Sequence, residues 1–173
     1  MADRPAQGSR EKQQFLEVYE HEHATTMKVL RAYPREQLGL KPHAMCKTAH
    51  ELAWVFVLER GLGTMLFNDA FAQSGPMGTA PPPPESWDEL LANIEKAHGE
   101  FGDLVRATPD DKLNEPVRFF TAPKTMGDIR RMDVAWMILH DQIHHRGQFS
   151  VYLRMAGGKV PSIYGPTADE PWM

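Results

Sequence analysis

The sequence predicts an all-α protein built as a four-helix bundle. Three observations predict it. Four segments carry apolar residues at helical spacing. One long Pro-rich connection separates the second segment from the third. A chain of 173 residues, 42% hydrophobic and 24% charged, suits one domain with a sizeable core, so residues 1–173 are read as a single unit whose first ten residues are flexible.

The first helix is expected over about residues 11–33, with Phe15, Val18, Tyr19, Val29, Leu30 and Tyr33 on its apolar side and Pro34 as its stop. The second is expected from near Thr48 to about Phe71, with Leu52, Val55, Leu62 and Leu66 as its stripe. The breaker SGPMGTAPPPPES follows, and its four consecutive prolines, Pro81 to Pro84, exclude helix and favour an extended connection. Ser86 with Glu89 three residues later reads as a capping box. The third helix then runs to about Ala107, with Leu90, Leu91, Ile94, Phe101 and Val105 inward. Between it and the fourth, VRFFT fits either a short strand or a loop. The fourth helix spans about residues 128–156 and stops at Gly157-Gly158. The Pro- and Gly-rich tail beyond it carries Ile163, Tyr164 and Trp172, which predicts an ordered tail packed on the body.

The formal net charge is −4, and no Lys/Arg block gives nucleic-acid binding an electrostatic footing. No apolar run reaches the length of a membrane span, and the polar N-terminal stretch lacks the apolar region of a signal peptide. The single Cys46 excludes an internal disulfide framework and fits a reducing compartment. A cytoplasmic protein is expected.

The chemistry concentrates in the fourth helix, in LHDQIHHRGQFSVYLR. Residues four apart share one side of a helix, so two pairs can hold a metal: His140 with His144, or Asp141 with His145. Val134, Ile138, Phe149, Tyr152 and Ala156 mark the apolar stripe. Asp141 and His145 fall on it with Gln148 beside them, whereas His140 and His144 flank it and Arg146, Ser150 and Arg154 lie on the far, solvated face. A carboxylate on that stripe requires a partner or a metal. A neutral histidine bonded to a buried aspartate meets the same requirement without a metal.

The other helices also aim ionisable groups inward: Glu22 in the first, Glu59 in the second and His98 in the third. Glu59, Asp141 and His145 together offer two carboxylates and one imidazole, a set suited to Zn, Ni, Mn or Fe. Glu22, His98, His144 and Gln148 are the further candidates, as extra ligands or as neighbours that orient the ligands.

HHRGQFSVYLRMAGGKVPSIYGP resembles the C-terminal signature of the DinB-like superfamily, and KTAHELAWVFVLER resembles its second helix. The resemblance implies an up-down-down-up bundle, often a homodimer, with a divalent metal held by one residue of helix 2 and an i, i+4 pair of helix 4. It also implies a small-molecule substrate and, in some relatives, transferase or isomerase chemistry on a low-molecular-weight thiol such as bacillithiol, mycothiol or glutathione. The helix 4 pair maps onto Asp141 and His145. The helix 2 histidine maps onto Val55, which cannot bind metal, and Glu59 lies one turn further along the same face. Two functions follow: a metal-dependent transferase or hydrolase using Glu59, Asp141 and His145, or a metal-free binding or dimerisation module in which the three form a buried polar group.

Overall fold

The computed structural model describes residues 7–71 and 80–173. Residues 1–6, most of the stretch expected to be flexible, and the first half of the Pro-rich breaker lie outside the described residues. Residues 7–10, from the same stretch, are already helical.

Four long helices, α1 (Gln7–Arg31), α2 (Ala49–Phe67), α3 (Trp87–Ala107) and α5 (Arg131–Met155), form the body. Helix α2 packs on α3 and α5, and α1 packs on the same two, which closes a ring of four. A 3-10 turn at Arg35–Gln37 follows α1, and a short helix α4 (Asp110–Asn114) follows α3. Strands β1 (Pro116–Ala122) and β2 (Thr125–Arg130) then form an antiparallel hairpin, with Val117 opposite Ile129 and Phe119 opposite Gly127. Residues 128–130 are therefore strand, and the last long helix starts three residues later than its apolar pattern suggested.

The helix ends follow from local chemistry. Thr48 Oγ1 accepts from the Glu51 amide at 3.1 Å, and the Glu51 carboxylate accepts from the Thr48 amide at 2.7 Å. That reciprocal box satisfies two otherwise orphaned donors. Ser86 caps α3 by accepting from the Glu89 amide at 3.3 Å. At the end of α5, Gly157 adopts φ +79°, which only glycine reaches at little cost. The Gly158 amide then donates to Leu153 and the Gly157 amide to Arg154, satisfying two terminal carbonyls. Gly63 sets the packing of α2: a Cβ there would lie 2.5 Å from Ile138 Cδ1 and 2.7 Å from Phe101 Cε2.

The ends of the chain's long connection and tail are tied down. Trp54 donates from its indole to the Pro81 carbonyl at 2.9 Å, pinning the proline run on α2. In the tail, Trp172 donates to Ser162 Oγ at 3.0 Å and Lys28 pairs with Glu170 at 2.9 Å.

The apolar core comes in two halves. One gathers Phe15, Tyr19, Leu66, Phe67, Phe101 and Ile138; the other gathers Leu30, Leu52, Phe56, Ile94, Phe149 and Leu153. Between them every long helix buries polar side chains: Glu22 and His23 from α1, Arg60 from α2, His98 from α3, Gln142 and Arg146 from α5. Two readings of the sequence are corrected by this belt. Arg146 is buried rather than solvated, because its guanidinium donates to Glu22 Oε2 at 2.5 Å and to the Glu22 carbonyl at 3.2 Å. The centre of the α5 stripe runs through Gln142 and Arg146, which turns Asp141 and His145 to its edge.

Candidate metal centre

At that edge α2 and α5 bring three donors together. Glu59 comes from α2, while Asp141 and His145 stand one turn apart on α5. One ligand atom from each lies within 4.8 Å of the other two. His145 Nε2 is 3.0 Å from Glu59 Oε1 and 3.7 Å from Asp141 Oδ1. The Glu59 side chain is 11% exposed and that of His145 18%, whereas Asp141 is 55% exposed at the mouth.

Electrostatics reflect this gradient. Burial pushes the Glu59 carboxyl up to about 7, with the Asp141 charge adding to it and His145 pulling it back. The contact with Glu59 raises the His145 pKa against the opposing effect of burial. The 3.0 Å contact lacks hydrogen-bond alignment, so both carboxylate oxygens of Glu59 are buried without a hydrogen-bond donor. Such atoms are costly unless something cationic meets them. Two carboxylates and an imidazole nitrogen are the donor types that divalent Zn, Mn, Fe or Ni accept, so the residues present fit a metal.

Gln148 orients the imidazole. His145 Nδ1 donates to Gln148 Oε1 at 3.1 Å, and the Gln148 amide donates to His144 Nε2 at 2.9 Å. This network places a proton on Nδ1 and leaves Nε2 as the ring atom that faces the carboxylates. His144 and Gln148 thus stand next to the group on the exposed side of α5. His140 stacks on Trp136, with ring centres 6.0 Å apart, one turn away from His144.

Glu22 and His98 are placed in other contacts. Glu22 accepts from Arg146 and from the Tyr164 hydroxyl at 2.8 Å, which ties the tail to α1 and α5. His98 stacks between Tyr19 and His23, its ring 4.2 Å from the first and 3.6 Å from the second. Its Nε2 contacts Glu20 at 2.8 Å. Arg60, which sequence reasoning passed over, donates to Tyr19 at 3.1 Å and to the Phe56 carbonyl at 3.0 Å beneath that stack. Its burial had a signal: Ala53, Phe56, Arg60, Gly63 and Phe67 complete an unbroken i+3/i+4 ladder. Val55, one turn before Glu59, is half-buried.

The model of the DinB family matches residues 8–172. The chain belongs to the DinB family. The uncharacterised protein YrdA of Bacillus subtilis is 29% identical over 160 residues, covering 90% of this chain and 89% of its own. Among solved structures, a DinB-like protein of Bacillus cereus superposes with a TM-score of 0.72 at 24% identity, covering 87% of this chain and 95% of that one. YfiT of B. subtilis, described as a probable metal-dependent hydrolase with an unusual four-helix bundle topology, gives 0.58 at 16% identity over 92% of this chain and 95% of that one. At these identities the two structures speak for the fold.

Proposed function

We propose that this DinB-family protein is a metal-dependent enzyme, a thiol transferase or a hydrolase, in which Glu59, Asp141 and His145 hold a divalent cation. The observation that carries the reading is the pair of buried Glu59 oxygens without donors, aimed at His145 Nε2 beside Asp141. A bound cation would lower the pKa of a low-molecular-weight thiol or a water and so supply a nucleophile at neutral pH. The chain's own residues have separate tasks. Gln148 keeps Nε2 of His145 turned to the site. Glu59 supplies the buried charge, and Asp141 stands at the opening where a substrate enters. The family resemblance supports an up-down-down-up bundle acting as a homodimer on a small molecule, and the single Cys46 supports a reducing, cytoplasmic setting.

The metal-free alternative draws on Val55 and on the direct Glu59–His145 contact. Activity separates the two. Metal-loaded protein is assayed for thiol conjugation to electrophiles and for ester and amide hydrolysis. Turnover abolished by chelation and by Asp141→Ala/His145→Ala supports the enzyme. A metal-loaded protein inert in both classes would sink it.

A further inference from the structure

His145 faces two places at once. One edge meets Glu59 and Asp141; another lines a groove of about 500 Å³ between α5 and the loop that precedes α2. That volume lies within the range of small-molecule sites, ~300–1,000 Å³. Much of the groove's wall is apolar: Leu52 from α2, Val151 and the ring of Tyr152 from α5, Met45 from the loop. Met45 is 89% exposed and Val151 56% exposed, so two large apolar side chains face water beside a polar site. Scattered exposed apolar residues need no explanation, but a concave set contiguous with a candidate centre does.

The groove has a direction. His145 and Tyr152 are seven residues apart on one helix, a rise of roughly 10 Å. The Tyr152 hydroxyl donates to the Lys47 carbonyl at 3.0 Å, so Lys47 sits at the end remote from His145. Among the described residues, Lys47 is the one Lys or Arg that lines the groove. The three features fall in order: a polar head position at His145, an apolar middle, and an exposed lysine, Lys47, whose backbone stands at the far end.

We infer that the groove binds the substrate's body: a small amphiphile with its reacting head at His145, an apolar chain along Val151 and Leu52, and an anionic group at Lys47. This rests on the metal reading above, since the head is placed by the cation. Continuity of the groove with His145 favours a small molecule whose reacting group lies at that histidine.

The test uses Co(II)-loaded full-length protein, whose visible absorption reports both metal binding and head-group ligation. It is titrated with acetohydroxamate, hexanohydroxamate and the ω-carboxylated suberic monohydroxamate. Burying a methylene strengthens binding by about fourfold, and the open side of the groove forfeits part of that, so hexanohydroxamate is expected to bind at least ~10-fold tighter than acetohydroxamate. Val151→Glu should remove that gain and leave acetohydroxamate unchanged. Lys47→Met should weaken the carboxylated probe about threefold and leave hexanohydroxamate unchanged. Both residues are exposed, so neither change threatens folding. Normal cobalt binding with affinities independent of chain length would overturn the inference and leave the metal centre standing. Chain-length independence with a dimer that Val151→Glu dissociates would assign the groove to a subunit interface and overturn it as well. Failure to bind cobalt would remove both.

Discussion

Replacing His98 by Phe should flatten the acid limb of the stability profile. The imidazole is buried in the polar belt, stacked on Tyr19 and His23 of α1. Glu20 of α1 faces its Nε2, Glu95 of α3 faces His23, and Arg60 of α2 lies across the same stack. Burial is the main force holding its pKa down to about 4 from 6.5; the Glu20 contact opposes this, and the nearby His23 and Arg60 reinforce it. The unfolded chain takes up that proton near pH 6.5, and the folded chain refuses it until about pH 4. The contribution is therefore complete above pH 6.5 and is lost as pH falls towards 4. At ~1.4 kcal/mol per pH unit, the full loss is about 3 kcal/mol, of which roughly 2.5 kcal/mol falls between pH 7 and pH 4.5. With an m-value of about 2 kcal/mol/M, the urea midpoint of the wild type should drop about 1.2 M further than that of His98→Phe over this interval. Phe keeps an aromatic ring on the stack and removes the titration. Glu59, whose raised pKa acts in the opposite sense, titrates in both proteins and cancels in the difference. Parallel midpoint curves for the two proteins from pH 7 to 4.5 would refute the reasoning.

Other outcomes follow from the same geometry. Arg146→Met should cost about 3–5 kcal/mol in urea unfolding by stranding the buried Glu22 carboxylate, and Glu22→Gln/Arg146→Met should recover most of it; equal losses in the two proteins would contradict the pair's burial. Val55→His adds an imidazole one turn before Glu59 and should tighten zinc binding by at least ~10-fold in a competition titration with a chromophoric chelator. Thr48→Ala should lower stability by about 1 kcal/mol through loss of the capping box that starts α2.

The long helices were legible because their apolar residues recur at helical spacing and their ends carry local signals, such as Thr48 at the start of α2 and Gly157 beyond α5. The hairpin was half legible. VRFFT is β-branched and aromatic, but its partner TMGDIR has little strand propensity and is held by pairing with β1. The clustering of the three candidate ligands was legible through the Asp141–His145 spacing and through Glu59 on the facing helix. Its depth was not. Periodicity read from apolar residues alone cannot see a stripe that passes through Arg60, Gln142 and Arg146, since those side chains are inside for their hydrogen bonds rather than their hydrophobicity. That rotation put Asp141 further into the core than it sits. Likewise, Glu22 and His98 were correctly placed among inward-facing residues, but nothing in one sequence tells which buried partner each will choose.

The most direct test of the metal centre is elemental mass spectrometry on protein purified without an affinity tag, beside Asp141→Ala/His145→Ala. The account predicts close to one divalent metal per chain, retained through dialysis and lost in the variant. No metal in either protein, even after loading with Zn, Ni, Mn or Fe, would contradict it and leave Glu59, Asp141 and His145 as a polar group without a cation.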